Sequence, residues 1–346
     1  MFDHYGTALL GEREHRDRGA VLLDVSFKTF EWQTLRDEEP FISVSGRASE
    51  AESVDDRFPA IAPLAEAPRG AFAGRWSVKF SKSEDHAVGV FEVRDDGIAS
   101  GTFMTTTGDY RYLAGRVDGP IMRLSTFDGA HAFLFKALML EDGSIAGEFW
   151  SGDWYFDTWT ATRDDDAQLP DAFEQTTLQD PDGLGALAFP TLEGEPLSPL
   201  GAAGPEAKVT LVEIFGSWCP NCHDAAVYMK ELRERYGDRG LRVVGLAFER
   251  EAPIESQRER LRAYLKRHGL DEAAWPVLIA GLSDKAKASE AMPLLDRVRS
   301  YPTTLFVDAE GRVRHVHTGF TGPATGEAYD ELRAEWEARI EVMLGE

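Results

Sequence analysis

The chain has two cysteines, Cys219 and Cys222, and both stand in the run Trp218-Cys219-Pro220-Asn221-Cys222. Thiols at this spacing can close a small disulfide if one helical turn brings them together, and the thiolate form of either is a nucleophile. The flanking residues supply the elements. Lys208 to Phe215 is an apolar run of buried-strand type. From Cys222 to Tyr236, Ala225, Met229, Leu232 and Tyr236 share one helical face, and Gly237 is the stop. The pair thus falls where a strand hands over to a helix. A helix start carries unpaired N–H groups and the positive end of the dipole, which favours a thiolate. Pro220 suits the first turn, where its missing N–H costs nothing. The expectation is an exposed nucleophile, Cys219, of lowered pKa, and a buried resolving thiol, Cys222.

Glu213 lies six residues before Cys219, inside a strand apolar on both faces. A buried carboxylate without a partner is costly and its pKa rises. The competing reading is a partly exposed carboxylate at a strand end. Other chemistries fit the cysteines less well. Zinc needs four ligands and there is no second C-x-x-C. With His223 the motif is formally C-x-x-C-H, a haem-attachment pattern, yet a motif wedged between strand and helix leaves no room for a porphyrin. Copper held by the two thiols and a downstream histidine is a rival in which the chain is a metal-binding protein. His315 and His317 share one strand face, expected to be solvated.

Between Phe72 and Arg163 the pattern is short strands. Trp76, Val78 and Phe80 alternate, as do Val88 and Val90, Tyr110 and Tyr112, Phe133 to Met139, and Ile145 to Phe149. Asp-Gly pairs at Asp96, Asp118, Asp128 and Asp142 suggest type I′ hairpin turns. About eight strands without helical periodicity argue for an antiparallel barrel with no open edge. Phe149, Trp150, Trp154, Tyr155, Phe156 and Trp159 either fill its core or line a cavity for a small apolar ligand, the second rival function. Residues 1–70 form an N-terminal extension, with strand-like alternation at Val21, Leu23, Val25 and Phe27 and a linker from Ser45. Residues 71–163 are the barrel and 164–187 a linker. In residues 188–346 strands alternate with helices: Leu241 to Phe248, a helix near Glu255 to His268, an insertion at Pro276 to Ala280 with the helix after it, a hairpin from Thr303 to Thr318, and a final helix from Gly326 to Leu344.

Gly74-Arg75-Trp76 resembles the opening of lipocalin- and avidin-like barrels. Residues 188–345 resemble the TlpA/ResA-like thiol–disulfide oxidoreductases of thioredoxin fold. The matching pieces are PTLEGEPLSPL, VTLVEIFGSWCPNC, the run Tyr301-Pro302-Thr303-Thr304-Leu305-Phe306-Val307-Asp308, and HTGFTGPATGEAYDEL. The resemblance implies an α/β thioredoxin-like domain joined to an all-β barrel. It implies a redox-active Cys219/Cys222 couple, a cis-proline at Pro302, and substrate contacts from Trp218, Tyr301, Pro302 and Thr303. Glu213 would exchange protons with the resolving thiol. No cofactor is implied. Partners would be protein or peptide disulfides, with a membrane-bound thiol relay as electron donor and a periplasmic or cell-envelope location. No secretory signal is legible in the first residues, so the cytoplasm stays open.

The formal charge is −23 over 346 residues. Such a surface repels phosphate backbones and anionic membranes, so nucleic acid is not an expected partner. Apolar residues make up 43 %, enough for real cores. Apolar runs fall far short of the ~20 residues needed to span a bilayer, which excludes an integral membrane protein.

Overall fold

A computed structural model describes residues 69–128, 131–250 and 253–345, with four strand backbones before them. Those four are β1 (Arg13–His15), β2 (Gly19–Ser26), β3 (Thr29–Arg36) and β4 (Glu39–Gly46), an antiparallel meander in sequence order. Val21, Leu23 and Val25 of the alternation fall on β2, and Phe27 lies outside the described residues. Most of the stretch from Ser45 to Gly70 lies outside the described residues.

The barrel has eight principal strands: β5 (Gly74–Phe80), β6 (His86–Val93), β7 (Ile98–Thr105), β9 (Leu113–Asp118), β10 (Ile121–Phe127), β11 (Ala132–Met139), β12 (Ile145–Ser151) and β13 (Tyr155–Arg163). The short β8 (Gly108–Asp109) pairs with β7. β13 pairs with β5, and β6 with both β5 and β7, so the antiparallel sheet closes on itself. Full closure leaves no long edge to recruit other strands. Inward positions carry Trp76, Val78, Phe103, Phe135, Phe149 and Trp159, all buried. Phe135 stacks on Phe103 and on Phe149 with centroids 4.4 Å from each. These rings fill the interior, which argues against the apolar-ligand expectation. Trp154 and Phe156 point outward instead.

Two readings of this region need correction. Tyr110 and Tyr112 belong to no strand; the chain turns there, and Arg111 has φ 58°. The pairs at Asp96, Asp118 and Asp142 do mark hairpins, but not type I′ turns, and Gly129 of the fourth pair lies outside the described residues. Gly97 and Gly143 have φ near +80°, whereas no aspartate among the described residues has positive φ. Gly97 N–H donates to Arg94 O and Arg94 N–H to Ile98 O, the pattern of a type I turn closed by a glycine bulge.

Residues 164–187 cross from the barrel and lie along the C-terminal unit. Thr318 N–H donates to Ala172 O, Gln179 N–H to Leu294 O and Val313 N–H to Pro181 O. Leu184 is fully buried in the second core.

The C-terminal sheet has the order β18-β17-β16-β19-β20, after the small hairpin β14 (Phe189–Pro190) and β15 (Pro196–Leu197) and the short helix α1 (Pro199–Ala203). β16 (Val209–Phe215) is central, parallel to β17 (Leu241–Glu249) and antiparallel to β19 (Thr303–Val307). All seven residues of β16 are buried, as a strand covered on both faces requires. β18 (Val277–Leu282) is a parallel edge strand of this same sheet rather than an insertion beside it. β20 (Val313–Thr318) completes the opposite edge. Helices α2 (Pro220–Tyr236), α3 (Ile254–His268), α4 (Lys285–Ala291) and α5 (Glu327–Met343) cover the sheet.

Candidate active site

The end of β16 and the start of α2 bring the two thiols together. Helix α2 begins at Pro220, earlier than the apolar periodicity indicates, and Cys219 is its N-cap. Cys222 N–H donates to Cys219 Sγ at 3.3 Å, and the Cys219 thiol donates to Tyr301 O at 3.2 Å. Both cysteines are free thiols. Cys222 is wholly buried, and Cys219 keeps only 5 % of its surface. The expected exposed nucleophile is thus almost covered, because the backbone at Tyr301 lies against its sulfur. It is still the thiol nearer solvent.

The loop ahead of the motif is pinned by Glu249 at the end of β17. Its carboxylate accepts from Ser217 N–H and from the Ser217 hydroxyl, each at 2.8 Å. Trp218 donates from its indole N–H to Phe248 O, its ring meets Tyr301 edge-on, and Arg250 lies over it. The Tyr301–Pro302 peptide bond is cis. Thr303 is fully buried in β19, and its hydroxyl donates to Ser300 O at 2.9 Å. That places Thr303 behind the site, where its side chain cannot reach a substrate.

Glu213 is fully buried, and neither carboxylate oxygen has a hydrogen-bond partner. Burial, and then the charge of Cys219, push its pKa well up. Burial also raises the Cys222 thiol, helped by its hydrogen bond with Cys219 and by the charges of Cys219 and Glu213. A buried carboxyl group and a buried thiol whose pKa values are both raised can exchange a proton with each other.

His223 does not face the thiols. Its Nδ1 lies 2.6 Å from His268 Nε2 and its Nε2 lies 3.0 Å from Ser217 O. Burial and the neighbouring His268 lower its pKa to about 3, so the pair is neutral. His317 is buried against Phe173 and Trp336 rather than solvated, and His315 is half-buried. Among the described residues no group of three or more His, Cys, Asp or Glu side chains could hold a metal ion, so the copper reading finds no ligand set.

Sequence patterns gave no hint of the barrel's seam against the C-terminal unit beside this site. Gly108, Asp109 and Arg111 sit beside α2 and the turn after β20. Gly322 N–H donates to Asp109 Oδ2 at 2.6 Å, and Arg111 N–H to Asp109 Oδ1 at 2.6 Å. The Arg111 guanidinium reaches Asp224 at 2.8 Å and Pro220 O at 3.4 Å. With its amide oriented to suit its neighbours, Asn221 donates to Asp109 O and accepts from Asp109 N–H. Apart from the bond within the turn between Arg111 and Asp109, these contacts join parts of the chain over 100 residues apart, so no local periodicity encodes them.

Residues 188–332 match the Redoxin family model. The C-terminal unit is a Redoxin domain. The relatives of this domain include the thioredoxin-like protein YneN of Bacillus subtilis, 30 % identical over 129 residues, covering 37 % of this chain and 65 % of YneN. The thiol:disulfide interchange protein DsbE of Escherichia coli is 27 % identical over 133 residues, 38 % of this chain and 60 % of DsbE. The chain therefore spans somewhat under two thirds of these relatives. Among solved structures, a thiol:disulfide interchange protein of Chlorobium tepidum shares 23 % identity over 46 % of this chain and 93 % of its own, with a TM-score of 0.33. The Redoxin domain has the thioredoxin-like fold, and the barrel precedes it. No helix among the described residues is long and apolar enough to cross a membrane.

Proposed function

We propose that the protein is a thiol–disulfide oxidoreductase that reduces protein or peptide disulfides through Cys219 and Cys222. The observation that carries the reading is the pair of free thiols at the start of α2, one against Tyr301 O and the other beside the unpartnered Glu213. The names of YneN and DsbE support the same class.

In the first step the Cys219 thiolate attacks one sulfur of a substrate disulfide. A Cys219–substrate disulfide forms and the other substrate sulfur leaves as thiolate. In the second step Cys222 passes its proton to Glu213 carboxylate or water and attacks the Cys219 sulfur. The Cys219–Cys222 disulfide forms and the second substrate sulfur leaves. Two protein thiols are oxidised and one substrate disulfide is reduced to two thiols. Tyr301 O and the Pro302 segment offer the edge along which a substrate backbone lies, and Trp218 closes the other side. No cofactor enters these steps. A membrane-bound thiol donor in the cell envelope would return the couple to its reduced form.

The test supplies the full chain with dithiothreitol and measures reduction of insulin and of hydroxyethyl disulfide above the uncatalysed background. Turnover that disappears in Cys219→Ser is expected. A wild-type protein inactive on both disulfides overturns the reading.

A further inference from the structure

Two backbone segments flank Cys219, Pro220–Asn221 of the motif and Ser300–Tyr301 before Pro302, and a third, the turn 319–322 after β20, is tied to Pro302 by the bond from Gly319 N–H to Pro302 O. One turn of the barrel, residues 105–111, touches all three. Asn221 faces Gly108 and Asp109, and Pro220 O faces Arg111. The Ser300 hydroxyl donates to Thr107 O at 2.8 Å. Gly322 N–H donates to Asp109. At Gly319 the backbone of Thr106 and Thr107 comes so close that an added Cβ would sit 2.9 to 3.1 Å from their atoms, and φ there is +79°.

Tyr110 anchors the turn in the barrel core against Phe133, Phe135 and Phe149, but the contacts that cross from the turn to the C-terminal unit are polar. Asp109 is buried and uses both oxygens across the turn and the seam, and the Arg111–Asp224 pair is partly buried. Arg111 is also the one non-glycine residue with positive φ among the described residues, a backbone state that costs energy unless its surroundings hold it. A polar seam releases more readily than an apolar one, because water can replace each contact once it opens.

We propose that the barrel turn 105–111 is a gate across the thiol face that sets which disulfides reach Cys219. Small disulfides approach Cys219 with the gate closed. An extended protein segment, which must lie along Ser300–Tyr301 and past Gly319, enters only when the polar seam opens and the turn moves away together with the barrel. The gate rests on the oxidoreductase reading above and selects substrates by size.

The test compares wild type with Arg111→Ala in the full chain, using insulin and hydroxyethyl disulfide. Arg111→Ala leaves Asp224 and Asp109 without their cation, so the open state gains population. Insulin reduction is expected to rise about tenfold, as when a competent state goes from roughly a tenth of the molecules to nearly all. Hydroxyethyl disulfide reduction is expected to stay within about twofold. Equal insulin rates, or a fall in both rates, would make the turn a fixed scaffold and overturn the gate while leaving the oxidoreductase reading intact. No turnover of either disulfide by wild type would remove both. Should Arg111→Ala not fold, hydrogen exchange in Cys222→Ser decides. Trapping an insulin chain on Cys219 is expected to speed exchange at the Arg111 and Gly322 amides, and trapping a mercaptoethanol unit is not. Protection that survives both adducts overturns the gate.

Discussion

Arg111 of the barrel and Asp224 of helix α2 meet at 2.8 Å across the seam between the two units. The pair does not behave as a surface ion pair. Burial drives the Asp224 pKa up to about 7, Asp109 and Asp128 add to the rise, and Arg111 opposes it without prevailing. Asp224 in the seam therefore holds its proton to a higher pH than an exposed aspartate does, and is the carboxylate partner of Arg111 once the pH passes about 7.

The sign of the resulting pH dependence follows from linkage. The folded pKa lies above the unfolded value of 3.8, so the folded state binds a proton the unfolded state has lost. That stability is present in acid and is lost as pH rises from about 4 to about 7. Relative to Asp224→Asn, wild type is expected to lose up to about 4 kcal/mol across that window. The 18 % of the Asp224 side chain open to solvent makes this an upper limit. Urea unfolding of both proteins at several pH values measures it. A stability difference that does not change with pH would show that Asp224 is ionised throughout.

The two cysteines are expected to fail differently. Cys219→Ser removes the nucleophile and abolishes turnover. Cys222→Ser removes the resolving thiol, so mixed disulfides with substrate accumulate and are visible on non-reducing gels. The asymmetry follows from the 5 % exposure of Cys219 against none for Cys222. Accumulation of adducts in Cys219→Ser instead would exchange the two roles.

Glu213→Gln keeps the shape of the side chain and removes its proton chemistry. Resolution of the mixed disulfide is expected to slow near pH 7 by about 100-fold, the low end of general acid–base effects. The first attack by Cys219 should change little. Because Glu213 is buried with both oxygens unpartnered, the variant should be as stable as wild type or more so. Stopped-flow rates from pH 5 to 9 decide the matter, and superimposable profiles would reduce Glu213 to a strand residue.

Phe135 tests the barrel core. It stacks between Phe103 and Phe149 and is 1 % exposed. Phe135→Ala is expected to cost about 3–5 kcal/mol by lost burial and the cavity left behind. Urea unfolding followed by far-UV circular dichroism measures this. A loss below about 1 kcal/mol would mean that the interior collapses around the gap or was never tightly packed.

The sequence by itself determined most of the elements and the position of the two thiols. The run Val209–Phe215 is apolar on both faces but for Thr210 and Glu213 and is rich in β-branched residues, so β16 was legible as a covered strand, and with it the anomaly of Glu213. The spacing of Cys219 and Cys222 at a strand–helix junction was local and equally legible. Alternating Trp76, Val78 and Phe80 marked a half-buried strand for the same reason: side-chain period and burial are set within a few residues. Tertiary structure alone decided the rest. Cys219 is nearly covered because a segment 82 residues away lies on its sulfur. Thr303 is hidden because β19 pairs with β16. His317 is buried because residues 164–187, which read as a linker, lay Phe173 over it. The seam of Asp109, Arg111, Asn221, Asp224 and Gly322 joins polar groups from separate units, and each looks in sequence like an ordinary surface residue. Polar side chains carry no periodic signal of burial; their partners are fixed only when the chain brings distant backbone N–H and carbonyl groups within hydrogen-bond reach.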